Sequence, residues 1–164
     1  MKTAFRSALF GSLLLATAAV YAQTATTFQV TATVTSSCVI SATNHDFGFY
    51  VPSSLLDNIN GANILTATCT LAVPYSIGLD AGIGSLATVA NRKMTRSGGT
   101  EMLNYSLYPT ASYVVALGNS LGVDMITGLG TGLPVGHTVF GKIAANQNVP
   151  AGNYVDTVTA NITF

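Results

Sequence analysis

The sequence predicts an all-β protein, a sandwich or barrel of short strands, and three observations carry that expectation. Apolar and polar residues alternate at a period of two, most clearly in Phe28-Gln29-Val30-Thr31-Ala32-Thr33-Val34-Thr35. Short runs of this kind are punctuated by Gly, Pro, Asn and Ser. Beyond the first 22 residues, no useful length of chain repeats its apolar residues at helical spacing.

The first 22 residues read as a signal peptide. Lys2 and Arg6 form a positive start, Ala8 to Val20 carries no charge, and Val20-Tyr21-Ala22 fits a small-residue cleavage site before Gln23. The apolar run is shorter than the ~20 residues a membrane-spanning helix needs. Export is therefore expected. Removing 22 of 164 residues leaves 142, the size of one domain. The leader takes two of the six basic residues and none of the six acidic ones, so four basic residues face six acidic ones, a net charge of −2. That balance argues against nucleic acid or an anionic membrane as partner. Arg92, Lys93 and Arg96 read as a solvated cluster. Charged residues make up only 7% of the chain, which suits a protein that covers its surface with copies of itself.

The elements follow in order. Thr26–Thr35 reads as a strand with Phe28, Val30, Ala32 and Val34 on one face and polar residues on the other. Strands are then expected over Cys38–Ala42, Asn63–Leu71, Tyr75–Leu79, Arg92–Arg96, Leu103–Tyr108, Thr138–Ile143 and Tyr154–Phe164. Ser97-Gly98-Gly99-Thr100 reads as a turn between two of them, and Pro150-Ala151-Gly152-Asn153 as the turn that launches the last. Pro52, Pro74, Pro109, Pro134 and Pro150 fall at or near strand ends, where a missing N–H is tolerated. The glycine-rich stretch Gly118–Gly136 reads as a long flexible loop. A loose alternating strand near one end and a core strand at the other suggest a sheet completed by another molecule, which puts polymerisation ahead of catalysis.

Two cysteines in an exported chain read as a disulfide between Cys38 and Cys69. The 31-residue loop it closes is worth roughly 3–4 kcal/mol in the chain-entropy picture.

The motifs that imitate chemistry are weak. Gly118-Asn119-Ser120-Leu121-Gly122 matches a nucleophile elbow, with Asp124 and His137 following in hydrolase order. An elbow needs a strand before its serine and a helix after it, and here a glycine-rich loop follows. Gly128-Leu129-Gly130-Thr131-Gly132 and Gly82-Ile83-Gly84 lack the dinucleotide pattern and the Walker lysine. His45 and His137 lie far apart, and adjacent His45 and Asp46 would face opposite sides of a strand. Asp46, Asp57, Asp80, Glu101, Asp124 and Asp156 form no recognisable acid pair, and Asp156 reads as structural. The glycosylation patterns at Asn104 and Asn161 lie inside expected strands. No catalytic residue, cofactor or metal is expected. A secreted carbohydrate-binding β-domain is the alternative from another class, but the chain has no tryptophan for an aromatic platform.

One set of pieces, taken in order, resembles a known family. These are Phe28 to Val34 followed by Cys38; Asp46-Phe47-Gly48; Ala67-Thr68-Cys69; Arg92-Lys93-Met94; Leu103-Asn104-Tyr105-Ser106-Leu107-Tyr108; Val139-Phe140-Gly141-Lys142-Ile143; and the ending Ala151 to Phe164 with its Gly-x-Tyr-x-Asp pattern. The chain is similar to the spore coat protein U domain family, whose members include pilins of archaic, Csu-type chaperone–usher pili. Leu117-Gly118 stands where the family often has Trp-Gly, and Phe140-Gly141-Lys142 where it often has Tyr-Gly-Arg.

The resemblance implies an incomplete immunoglobulin-like sandwich. Its open groove would be filled first by a strand of a periplasmic chaperone, then by the N-terminal donor strand of the next subunit. Residues 1–22 would be the signal peptide, 23–36 the donor strand and 37–164 the pilin domain. Phe28, Val30, Ala32 and Val34 would insert; Tyr154, Val158, Ala160, Ile162 and Phe164 would line the acceptor strand. The expected partners are other copies or related pilins, the chaperone and an outer-membrane usher, and the destination is the cell surface by way of the periplasm. A coat protein of the same fold, assembled without an usher, is the alternative within the family.

Overall fold

The computed structural model describes residues 21–164; the leader reading rests on residues 1–20, outside the described residues. Among the described residues there is no helix. Among the same residues nine strands form two antiparallel sheets: β1 (Cys38–Ala42), β2 (Ala62–Cys69), β3 (Pro74–Leu79), β4 (Arg92–Arg96), β5 (Met102–Tyr108), β6 (Ile126–Leu129), β7 (Pro134–Lys142), β8 (Tyr154–Val155) and β9 (Ala160–Thr163). The larger sheet runs β1-β2-β7-β5-β4-β8 and the smaller β6-β3-β9.

The two sheets bury one core, built from the inward positions that a two-residue period supplies. β5 offers Leu103, Tyr105 and Leu107, β2 offers Leu65, Ala67 and Cys69, and β3 offers Tyr75, Ile77 and Leu79. Val139 of β7, with Phe47, Leu117 and Ile143 from the connections, completes it. Cys38 and Cys69 face each other in the β1–β2 ladder and are disulfide-bonded, with Cα atoms 4.1 Å apart. That is just below the usual ~4.4–6.8 Å, as expected for directly opposed strand positions, where facing Cα atoms approach to about 4.5 Å. The β4–β5 turn places Gly98 at φ 78°, a backbone conformation that favours glycine.

Four expectations need correction. Thr26–Thr35 is not a strand: the described residues before β1 have no regular structure, and Phe28, Val30 and Val34 are 82–85% exposed. An alternating pattern becomes a strand only when an edge supplies its hydrogen bonds. Gly118–Gly136 is not a free loop. It contains β6 and the start of β7, and the Asp124 carboxylate and carbonyl hold the N–H groups of Ser120 and Gly118 at 2.7 and 2.9 Å.

Tyr154–Phe164 is two strands in two sheets. β8 pairs with β4, the chain then crosses, and β9 pairs with β3. Arg92 is not solvated but fully buried, at 0% exposure. Its guanidinium donates to four main-chain carbonyls: Asp80 (2.8 Å), Val89 (2.9 Å), Leu79 (3.3 Å) and Leu117 (2.7 Å). Burial lowers its pKa, while Tyr105 and then Asp80, Asp156 and Asp124 favour its charge.

Candidate functional site

The sandwich is open along one side. β1 is an edge of the larger sheet and β9 an edge of the smaller; they lie near each other but share no ladder. Between the chain that follows β1 and the chain that leads to β9 runs a groove of two adjoining cavities of about 760 and 810 Å³. One wall is Ala42 to Pro52, the other Val149 to Ala160. Ala42 lies in the cavity with Ala160, and Pro52 in the cavity with Val149, so the two walls run antiparallel. Leu65, Leu79, Met94, Leu103, Tyr105 and Leu107 line the groove between them.

The first wall has no strand pairing beyond β1. Thr43 N–H donates to the Ile64 carbonyl at 3.0 Å, and side chains hold the rest: Asn58 Nδ2 donates to the carbonyls of Phe47 and Phe49 at 3.2 and 3.1 Å. Tyr50 Oη donates to the Ala144 carbonyl at 3.0 Å and accepts the Gln147 N–H at 2.8 Å. Phe47 packs edge-on against Tyr105 of β5 with ring centroids 5.8 Å apart. The rings of His45 and Phe47 occupy the space over Gly141, where a Cβ would collide with both. His45 Nδ1–H donates to Asn63 Oδ1 at 3.3 Å, while its buried Nε2 has no hydrogen-bond partner among the described residues. Burial holds its pKa below the ordinary histidine value, against the pull of Asn63 and Asp46.

The second wall is set by carboxylates. Asp156, at the crossing between sheets, accepts Tyr105 Oη–H at 2.7 Å, the Ile83 N–H at 2.9 Å and its neighbour Thr157 N–H at 2.8 Å. Burial, with the Asp156 carboxylate next, pushes the Tyr105 phenol well above its usual range, so it stays a donor. Asp80 accepts the Thr159 and Gly82 N–H groups, both at 2.9 Å. Side-chain oxygens thus satisfy the backbone where the run leaves one sheet for the other.

Of the acceptor residues expected from the sequence, Tyr154, Val158 and Ala160 line the groove; Ile162 and Phe164 do not. Tyr154, Val158, Ala160 and Ile162 are half-buried against the core, and Phe164 is exposed. The donor residues Phe28, Val30, Ala32 and Val34 are all exposed. Sequence reasoning missed the first wall, although Asp46-Phe47-Gly48 stood out as a motif. The imitation triad is not assembled. The Asp124 carboxylate binds the Ser120 main chain, and His137 Nε2 is paired with Tyr75 Oη at 2.8 Å. No cluster of three or more metal-binding side chains occurs among the described residues.

Comparison with known proteins bears on this geometry. The family model of the Spore Coat Protein U domain matches residues 24–161. A relative named Protein U from Myxococcus xanthus is 39% identical over 127 residues, covering 73% of this chain and 70% of its own. Among solved structures, the CsuC–CsuE chaperone–tip adhesion subunit pre-assembly complex from archaic chaperone–usher Csu pili of Acinetobacter baumannii matches at TM-score 0.58 and 23% identity. That match covers 80% of this chain but only 40% of the other. The E. coli Hda pilus minor tip subunit, HdaB, is a more distant likeness at TM-score 0.44 and 15% identity, covering 76% and 79% of the two chains.

Proposed function

We infer that this chain, which belongs to the Spore Coat Protein U domain family, is a structural subunit of a surface pilus that polymerises by donor-strand complementation. One observation carries the reading: the sandwich has an open groove between two walls that share no ladder across it, and the same chain carries an exposed segment of complementary period. A strand entering the groove gains main-chain hydrogen bonds from the walls, and its alternate side chains enter the cavities. Phe28, Val30, Ala32 and Val34 fill that role, and Tyr154, Val158 and Ala160 receive them. Burying three large apolar side chains and one alanine is worth on the order of 5–10 kcal/mol before the cost of ordering the segment.

In this reading residues 23–36 are the donor and 37–164 the acceptor domain. The segment leaves one subunit and enters the next, so the contact does not close and gives filaments, not a dimer. Before assembly the groove needs another occupant, and a periplasmic chaperone strand supplies it, with an outer-membrane usher passing subunits to the surface. The fold shared with a tip subunit crystallised with its chaperone supports this route. The role is structural, with no catalytic step.

The test is a pair of substitutions on opposite faces of one segment. Val30→Asp places a carboxylate in an apolar cavity, at a cost of several kcal/mol that offsets most of the docking energy. It should abolish fibres in electron micrographs and heat-resistant multimers on gels. Thr31→Asp, on the other face, should leave both. Fibres formed equally well by both variants would rule the donor-strand reading out.

A further inference from the structure

One buried nitrogen at the groove makes no bond. His45 stands on the first wall and lines both cavities, so its open side faces the space that an inserted strand fills. Its other side is closed. Asn63 Nδ2 donates to the Thr43 carbonyl at 3.1 Å, which turns Asn63 Oδ1 toward the ring and holds the imidazole proton on Nδ1. Nε2 is left as a bare lone pair. It lies against the main chain of Gly61 and Gly141, where a Cβ on either residue would crowd it. It is shielded from water and has no hydrogen-bond partner among the described residues.

The charged and titratable groups around the ring are bound elsewhere. On its own wall, the Asp46 carboxylate accepts the Gly48 N–H at 2.8 Å. β2 presents the neutral Asn63. β7 presents Gly141, and the next residue, Lys142, is paired with Asp57 at 2.7 Å. Behind Phe47, Tyr105 of β5 donates to Asp156 of the second wall at 2.7 Å. A second N–H, on Nε2, would point at main chain with no acceptor. The charged ring must then turn out into the groove to reach water.

We propose that His45 is a proton-sensitive latch on strand docking: neutral, it stays in its wall and the donor strand seats over it; protonated, it swings into the groove and displaces the strand. The inference rests on the donor-strand reading and adds a control to it.

Linkage sets the direction. With the groove open, burial already keeps the ring's pKa below the ordinary value, against Asn63 and Asp46. A seated strand covers the ring's open side and lowers it further. As pH falls through the open-groove value, the empty groove takes up a proton that the filled groove refuses. Docking then weakens by up to about tenfold for each pH unit, until the filled-groove value is reached. Above about pH 7 the ring is neutral in both states and docking does not respond. His137, the other histidine, lines neither cavity, so a seated strand does not cover it.

Fibres of the full exported chain test it. They are held at about pH 7.5 and about pH 5, and released monomers are counted over time on denaturing gels run without heating. Parent fibres should release chains faster at the lower pH, by roughly tenfold over the range, while near-UV circular dichroism of the tyrosines shows the subunits still folded. His45→Gln fibres should release at one rate at both. Equal rates for the parent would overturn the latch and leave donor-strand docking standing, and so would His45→Gln fibres that quicken as the parent does. Release that comes only with loss of the tyrosine signal would also overturn it, by assigning the response to unfolding. Asn63→Asp sets a carboxylate beside Nδ1 and should start release at a higher pH than the parent, a test that leaves His45 in place. An unchanged or lower onset counts against the latch. Fibres assembled by Val30→Asp would instead overturn the docking beneath it.

Discussion

Replacing Arg92 by methionine should be among the most damaging single changes in the domain. The side chain is fully buried, and its guanidinium donates to the carbonyls of Leu79, Asp80, Val89 and Leu117. No carboxylate bonds it directly, so it acts as a charged bracket for the main chain, tying the end of β3 to two connections. Methionine fills much of the volume but leaves four carbonyls short of a donor. Each buried unsatisfied polar group costs about 1–3 kcal/mol. The recovered desolvation cost of the guanidinium offsets part of that sum, which leaves a loss of roughly 3–5 kcal/mol, in line with breaking a buried charge network. Arg92→Lys keeps the charge but has three donors for four acceptors, so it should fall between parent and Met. The assay is urea unfolding of the exported chain followed by tyrosine emission, since there is no tryptophan. With a slope of about 2 kcal/mol per molar, the midpoint should fall by roughly 2 M for Arg92→Met. A midpoint within about 0.3 M of the parent would refute the bracket argument.

Losing the disulfide through Cys38→Ser and Cys69→Ser should cost roughly 3–4 kcal/mol, and thiol labelling of the unreduced parent should find no free cysteine. Ser120→Ala should leave export, assembly and stability unchanged; labelling of Ser120 by a fluorophosphonate would revive a hydrolase. Gly141→Ala puts a methyl into the rings of His45 and Phe47 and should destabilise by about 1–3 kcal/mol, read as a lower urea midpoint. Because burial lowers the folded pKa of His45, the unfolded chain takes up that proton first, so stability declines as pH falls below about 6.5 and levels off below the folded pKa. His45→Gln should flatten the fall in urea midpoint between about pH 7.5 and 5; part of the slope remains because His137 is shifted the same way by burial.

Period two was enough to find most of the sheet. β1 and β4 fall where alternation and punctuation put them, and β2, β3 and β5 within two residues. β6 was hidden because Ile126-Thr127-Gly128-Leu129 is short and contains a glycine. That glycine is needed for packing, since a Cβ on Gly128 would strike the Tyr75 ring. The switch of sheets within Tyr154–Phe164 leaves no trace in the pattern, because the side chains keep alternating while the hydrogen-bond partners change from β4 to β3. Arg92 was illegible for a related reason. Its acceptors are main-chain carbonyls from three separate stretches, and no residue type announces a carbonyl.

The same limits explain what of the groove could be read. Alternation names the side chains that face inward on a terminal strand, but it does not say which edge lacks a neighbour. That depends on Asp156 and Asp80 carrying the chain across between sheets, and on Asn58 and Tyr50 holding the opposite wall without a ladder. The result is a groove whose deepest residues are already sheltered. Leu65, Leu79, Leu103 and Leu107 are buried, while Met94, Tyr154, Val158 and Ala160 are only half-buried. An inserted strand therefore adds little to the burial of the core and much to that of the walls and of its own side chains. In the donor-strand reading, the domain's stability and the filament's stability rest on different residues. Damage at Arg92 should unfold the subunit, whereas damage at Val30 should leave a folded subunit that cannot assemble.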